Sequence, residues 1–470
     1  MGLYPYADRW TVNRGMPSEG RSRDAILDEI RQMSAEEDAR AHEGKISGSI
    51  YSGDTDHYAF LNEVFGHYSH ANVLQRDMYP SATRFEGEII AMTADMLHGG
   101  PSHAGSAHGD AAAGVCGVLT SGGTESLMNP LLVYREWGRE RGITRPNVVM
   151  PVTAHPALDK GAHYFDIELR KATVTERFVA DMESVRSLID ENTVALVGSA
   201  GSYPHGAIDP IAELSDLAVE RSINLHVDGC LGGFVLAWGE GLGYPVPVFD
   251  FRLPGVTSIS ADTHKYGFAL KGSSVLLYRS PELRRLQYFV VPDWPGGLYT
   301  SPGMSGSRSG GIIATAWAAM ASLGREGYMR IAGDIFRTAA ELKEIIGAHP
   351  ELRVLGEPFF DVAFSHTLGS DVDIFHVNDS LASNGWRMNG LQMPPAVHFC
   401  ITRPNTQPGV MDRFAEDLAT AVAYAKERAG VAPRSGATYG GGGVDVPREA
   451  VAAGMVGWLD ATQALPPAAR

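Results

Sequence analysis

In the run SISADTHKYGFALKGSSVLLY, residues 258–278, His264 and Lys265 stand side by side in a turn of small residues, and Lys271 follows ahead of a second apolar run. A solvated surface lysine needs no such setting. A lysine amine held there can form a covalent imine with a carbonyl compound, the carbonyl of pyridoxal 5′-phosphate (PLP) included. Three further features bear on that reading. Asp228, in HVDGC, closes an apolar strand pattern 37 residues ahead of Lys265. Burying a carboxylate costs free energy unless it is paired, and a protonated pyridine nitrogen would use it, because the charged ring is the electron sink of PLP chemistry. The stretch LTSGGTES, residues 119–126, reads as strand, glycine-rich turn and helix start. Gly122 and Gly123 let backbone N–H groups approach an anion, Thr124 can cap the helix, and a helix N-terminus is a natural phosphate site. His155, in TAHPALDK, falls at a strand-to-helix junction where an imidazole could stack on a flat ring. Each feature alone has an ordinary structural explanation. Their order along the chain, glycine turn, His, Asp, His-Lys, gives them a joint meaning.

The elements that would hold these residues are legible as alternating strand and helix patterns from residue 115 onward. VCGVLT, NVVMPV, TVALVGSA, INLHVDGCLGGFVL, VTSISADTH and SSVLLY read as strands. Helical patterns such as TESLMNPLLVYREWGRERG and IAELSDLAVERS lie between them, which argues for a mixed, mostly parallel sheet covered on both faces. Pro130 inside the first of these predicts a kink or a late helix start. Beyond GGIIATAWAAMASLGREGYMRIAGDIFRTAAELKEIIGAHP, the runs LRVLG, VDIFHV and AVHFCI are expected strands of a smaller α+β domain. The expected division is an N-terminal arm over 1–60, a large domain over 61–327, a small C-terminal domain over 328–432 and a flexible tail over 433–470. The arm is predicted to carry one helix around Asp24–His42. The small polar stretch SHAGSAHGDAAAG reads as a surface loop.

Composition narrows the function further. The chain has 470 residues, 44% hydrophobic and 20% charged, as in ordinary globular proteins. A net charge of −16 argues against nucleic acid and gives no polybasic patch for anionic lipid. It leaves room for an anionic substrate in a locally cationic site. No apolar run is long enough to span a membrane, and no secretory signal is read at the N-terminus. Three widely spaced cysteines, Cys116, Cys230 and Cys400, form neither a disulfide framework nor a CxxC metal site, so a cytoplasmic location is expected.

The stretches GKISGSIY, VLTSGGTES, AHPALDKGAHYF, SYPHGAIDPI, LHVDGCLGGF, VTSISADTHKYGFALKGSSVLLY, GLYTSPGMSGSRSGG and LQMPPAVHFCIT together resemble the sphingosine-1-phosphate lyases, in the group II branch of PLP-dependent decarboxylases. They extend over about residues 44–403. The resemblance implies the type I, aspartate aminotransferase-like, α/β fold. It implies Lys265 as the lysine that binds PLP, Asp228 at the pyridinium nitrogen and His155 on the ring. Gly122, Gly123, Thr124 and His264 would lie around the cofactor phosphate. Tyr51, Asn72, Lys271 and Ser307 match the family's substrate-phosphate positions, and Tyr203 matches a tyrosine near the reacting centre. The implied reaction is retro-aldol cleavage of a phosphorylated sphingoid base to a long-chain aldehyde and phosphoethanolamine. The catalytic base stays open between Tyr203 and a phosphate oxygen. A homodimer with a shared site is implied, with Tyr51 and Ser307 as residues that a partner could contribute.

Two departures from the family pattern stand out. Asn72-Val73-Leu74-Gln75 occupies the place of Asn-Pro-Leu-His, so a phosphate-binding histidine is replaced by the uncharged Gln75. His98, His103 and His108 fall five residues apart in and beside the inserted loop. They lack carboxylate and cysteine partners at ligand spacing, and no metal is expected. An amino-acid decarboxylase is the same-class alternative, against which the retained Tyr51, Lys271 and Ser307 argue. A non-catalytic binding protein on the same fold is the other, against which Lys265 and Asp228 argue.

Overall fold

The computed structural model describes residues 5–100, 114–436 and 448–466. Its larger sheet contains β1 (Cys116–Thr120), β2 (Asn147–Pro151), β3 (Glu168–Ala172), β4 (Thr193–Ser199), β5 (Asn224–Asp228), β6 (Ser258–Ala261) and β7 (Ser274–Tyr278), in the order β1-β7-β6-β5-β4-β2-β3. Only β7 runs against the others. β2, β4, β5, β6 and β7 are buried along their whole length, as expected of strands covered by helices on both faces. β3, with the sequence ELRKA, was not anticipated. It is the edge strand, and its charged residues make a poor partner for another chain while hiding the strand signal.

A hairpin, β8 (Phe289–Val291) and β9 (Tyr299–Ser301), projects beyond this sheet. The helix Gly310–Gly347 then carries the chain to the small domain, passing through the non-helical Gly324 (φ 56°, ψ −178°), a conformation open to glycine. The expected boundary at 328 thus falls inside a helix. The small sheet is antiparallel, in the order β10 (Leu352–Val354), β11 (Asp361–His366), β13 (Ala396–Cys400), β12 (Asn389–Leu391). VDIFHV is not a strand. Asp373 caps a helix over Ile374–Ser383, its carboxylate accepting the Phe375 N–H at 2.8 Å, and Ile374, Val377 and Leu381 bury one helical stripe. The helix after β1 runs Gly123–Arg139 straight through the buried Pro130, so neither a late start nor a break is found. In the tail, a helix spans Arg448–Thr462; the expected glycine linker lies outside the described residues, as does the loop with His103 and His108.

The arm contains the helix Arg23–His42, as expected, and then does something its composition hides. Residues 44–51 dock along the small sheet. Arg387 N–H donates to Lys45 O, Ser47 N–H to Arg387 O and Gly48 N–H to Cys400 O, at 2.8–2.9 Å. The buried Ser47 hydroxyl donates to His398 O and accepts from Cys400 N–H and Asn389 Nδ2, at 3.0–3.1 Å. Ser47→Ala leaves two donors and an acceptor without partners, so it is expected to lower stability by about 1–3 kcal/mol. Chemical denaturation of the variant beside the parent measures this; an unchanged midpoint would show that the strip is not held there.

Candidate active site

The C-terminal end of β5 and the turns after β2, β4 and β6 bring Asp228, His155, Tyr203 and Lys265 to one cavity of about 300 Å³. These are the C-terminal ends of parallel strands, where open α/β sheets bind ligands. Tyr51 and Lys271 also line it, and Arg387, Asn389, His398 and Cys400 close it from the small sheet.

Lys265 is largely withdrawn from water and pairs with Asp262, Nζ to Oδ2, at 2.9 Å. Sequence reasoning passed over Asp262, although it lies three residues ahead in the same motif. Burial pulls the Lys265 ammonium down, but Asp262, with Tyr51 and Cys230 adding to it, holds the group well above the ordinary lysine range. Burial pushes the Asp262 carboxyl up, and Lys265 with His264 brings it below the usual carboxylate range. Its other oxygen, Oδ1, is buried without a hydrogen-bond partner. In the cofactor-free chain this is therefore an ion pair, and the amine must lose its proton before it can act as a nucleophile.

The remaining residues can be tested against PLP group by group. Asp228 ends β5, 8% exposed, with Oδ1 accepting the Cys230 N–H at 3.0 Å; it offers a carboxylate to a pyridinium nitrogen. His155 accepts the Ala157 N–H on Nδ1 at 3.1 Å, and burial with Lys265 lowers its pKa against the pull of Asp228. It is thus a neutral ring with its proton on Nε2, suited to lie on another ring. Gly122 caps the helix Gly123–Arg139 at φ 152°, where a side chain would be strained, leaving bare N–H groups for an anion. A Cβ on Gly123 would lie 2.7 Å from Asp262 Oδ2, so the turn can approach Lys265 only as glycine. His264 donates Nδ1–H to Ser273 O at 2.6 Å and has Gly122 beside it. Thr124 does not cap the helix: it sits one residue inside the first turn, exposed. With that correction the donor set fits PLP.

The four expected substrate-phosphate residues divide into two pairs. Lys271 stands over the Tyr51 ring at 4.7 Å, beside Lys265 in the cavity, and pairs with no carboxylate among the described residues. Although Lys271 as a whole is exposed, the protein around its ammonium and the charge of Lys265 pull it down to about 8. Tyr51 comes from the chain's own docked arm. Asn72 and Ser307 meet elsewhere, Nδ2 to Oγ at 3.0 Å, next to a 210 Å³ recess lined by Thr120, Ser121, Gly272, Ser273 and Arg308. Arg308 is held by the buried Glu86, which also takes Arg76 at 2.9 Å. Gln75 is exposed on this side. His98 pairs with Asp250 at 2.9 Å, and no metal-ligand cluster occurs among the described residues.

The pyridoxal-dependent decarboxylase conserved domain matches residues 5–365. A sphingosine-1-phosphate lyase of Oryza sativa subsp. japonica is 41% identical over 96% of this chain and 82% of its own length. The chain belongs to the sphingosine-1-phosphate lyase family. The structure of a sphingosine-1-phosphate lyase from Burkholderia pseudomallei K96243 superposes with a TM-score of 0.90 at 49% identity, covering 99% of this chain and all of that one. Lactobacillus brevis glutamate decarboxylase shares the fold, with a TM-score of 0.76 at 18% identity over 90% of this chain and 97% of its own. The lyase family fold is the type I PLP fold, its cofactor is PLP, and the residues above have the chemistry to hold it.

His398, Cys400, Arg387 and Asn389 were also missed as cavity residues. His398 and Cys400 lie in the run AVHFCI, read as a strand inside a stretch that carries the family resemblance, and Arg387 and Asn389 carried no signal of their own. Replacing Lys265 with alanine is expected to abolish covalent PLP capture, read as loss of the borohydride-fixed cofactor on that peptide. Asp262→Asn removes the charge that keeps the ammonium protonated. The pH midpoint for capture of added PLP should then fall by about 1–3 units, and an unmoved midpoint would remove Asp262 from that role.

Proposed function

We propose that this chain cleaves phosphorylated sphingoid bases between C2 and C3, giving a long-chain aldehyde and phosphoethanolamine. The observation that carries the reading is Lys271, a cation without a carboxylate partner among the described residues, stacked on Tyr51 in the cavity that holds Lys265. A phosphate on the substrate would supply the missing anion. PLP, when bound, supplies the electron sink for the pair released as the bond breaks. In this reading Lys265 anchors the cofactor, Asp228 keeps a proton on its ring nitrogen and His155 covers its face. Gly122 and Gly123 offer N–H donors to the cofactor phosphate, with His264 beside them. Tyr203 is assigned the proton of the C3 hydroxyl: as that oxygen becomes the aldehyde carbonyl its proton leaves, and C2 gains one to complete phosphoethanolamine. Lys271 and Tyr51 hold the head group so that the C2–C3 bond stays aligned.

The division of the phosphate residues supports a homodimer in which Asn72 and Ser307 serve the partner's site. The exposed apolar residues Phe289 and Val290 line a neighbouring cavity that shares Arg308 with that recess, and with the exposed Leu298 of the same hairpin they would be covered in such a dimer. Among the described residues no helix is long and apolar enough to cross a membrane. The free cysteines Cys116, Cys230 and Cys400 fit a reducing, cytoplasmic setting.

Purified protein loaded with PLP and given sphingosine 1-phosphate should release long-chain aldehyde and phosphoethanolamine, and Lys265→Ala should release neither. Cofactor capture without aldehyde would sink the proposal. Mixing Ser307→Ala with Lys265→Ala subunits should restore part of the activity; no recovery, with exchange shown independently, would count against a shared site. KM for the phosphorylated substrate should rise as pH passes about 8, because Lys271 then loses the proton that binds the phosphate. Lys271→Ala should raise KM by about 10–100-fold and remove that pH dependence, which steady-state kinetics from pH 6.5 to 9.5 (a range of about three units around the ordinary assay pH) reads directly.

A further inference from the structure

Two buried titratable groups of the small sheet adjoin the cavity and have no part in the chemistry above. In the antiparallel register of β11 and β13, Asp361 lies opposite Cys400 and Ala363 opposite His398. Side chains at these positions share one face, so Asp361 and His398 meet on the diagonal, Oδ1 to Nδ1 at 3.5 Å, both wholly buried. Neither Asp361 oxygen and neither His398 nitrogen completes a hydrogen bond at this spacing. A buried polar pair left in that condition asks for an explanation. His398 lines the cavity with Tyr203, and the two rings pack in a T, centroids 4.8 Å apart at 73°.

Burial pulls the His398 imidazole down to about 4 and pushes the Asp361 carboxyl well above its ordinary range. The favoured arrangement therefore carries neither charge. A carboxyl that keeps its proton can donate it to Nδ1 across the 3.5 Å gap, which leaves the ring's own proton on Nε2. His205, close by and equally short of partners, is likewise lowered to about 4 by burial and adds no charge.

We propose that Asp361 and His398 form a positioning device for Tyr203: closing their 3.5 Å approach into a hydrogen bond fixes the imidazole tautomer and ring angle, and the imidazole fixes the phenol at the cavity wall. This rests on the reading of Tyr203 as the group that handles the C3 hydroxyl proton. Neither Asp361 nor His398 need touch substrate.

The device distinguishes two substitutions that remove the same charge. The Asp361→Asn amide can still donate to Nδ1, so kcat should stay within about 3-fold of the parent. Asp361→Leu fills similar space without a donor, so kcat should fall by about 10–100-fold with KM unchanged. In a Tyr203→Phe background, Asp361→Leu should cost almost nothing more, because the group it positions is already gone. Equal losses in both backgrounds, or a parent-like Asp361→Leu enzyme, would overturn the proposal. Nitrogen NMR of labelled histidine, on the PLP-loaded protein without substrate, gives an arm independent of turnover. Nδ1 of His398 should read as an unprotonated acceptor in the parent and in Asp361→Asn, and change in Asp361→Leu. A protonated Nδ1 in the parent overturns the pair. Failure of the parent to cleave sphingosine 1-phosphate would instead overturn the reaction assignment, and the NMR result would still decide the pair.

Discussion

An ammonium group drawn out of water persists only against a carboxylate, and the 2.9 Å pair of Lys265 with Asp262 is the interaction around which the site is built. Asp262 joins three chain turns. Its N–H donates to the carbonyl of Cys230, whose own N–H donates to the Asp228 carboxylate. Its Oδ2 faces His264 Nε2 at 3.7 Å and lies where a Cβ of Gly123 would otherwise be. The Gly122–Gly123 turn, Asp228 and Lys265 are thus indexed to one buried carboxylate. Moving it would shift all three at once, which pairwise packing of independent loops would not do.

The same pair shapes the electrostatics of a chain with a net charge of −16. Two lysines line one cavity and repel each other, yet only Lys265 has a fixed counter-charge. The consequence falls on Lys271, whose ammonium is held, by burial first and the charge of Lys265 second, at about 8 rather than in the ordinary lysine range. A group so placed gains more from an arriving dianion than a solvated lysine would, because its charge is already disfavoured before the ligand comes. The Tyr51 ring face beneath it offers partial compensation meanwhile.

The main sheet was legible in the sequence because its strands are buried on both faces and read as short apolar runs. That Lys265, Asp228 and His155 share one cavity was legible from their order along the chain, since each alone is ordinary at a strand end. The failures have physical causes. ELRKA is a strand whose edge position tolerates charge, and VDIFHV is a helix whose N-cap Asp373 lies inside the apolar run that suggested a strand. Asp262 was overlooked because Asp228 already answered the demand for a carboxylate. Nothing local to Asn72, Lys271, Ser307 or Tyr51 shows that they divide two and two. That division depends on how the arm docks and on where the chain goes after β9, both matters of long-range geometry.

The arm deserves its own physical account, since composition alone made it look dispensable. It has too few apolar residues to build a core, so it is held by hydrogen bonds to a sheet that already exists. Ser47 spends one hydroxyl on three backbone or amide partners around β12 and β13. The strip fixed in this way delivers Tyr51 four residues later, buried against Tyr266 with ring centroids 5.0 Å apart. Tyr266 in turn donates its hydroxyl to Ile401 O at 2.6 Å, one residue past β13. One strand therefore carries His398 and Cys400 on its cavity face and anchors the segment that supplies Tyr51. A displacement of the small sheet would carry Tyr51 and His398 together, relative to Lys265, Lys271 and Tyr203, which stay with the large sheet. The cavity wall formed by Tyr51 and His398 and the floor that carries Lys265 thus belong to different sheets, and the docked arm is what ties that wall to the small sheet.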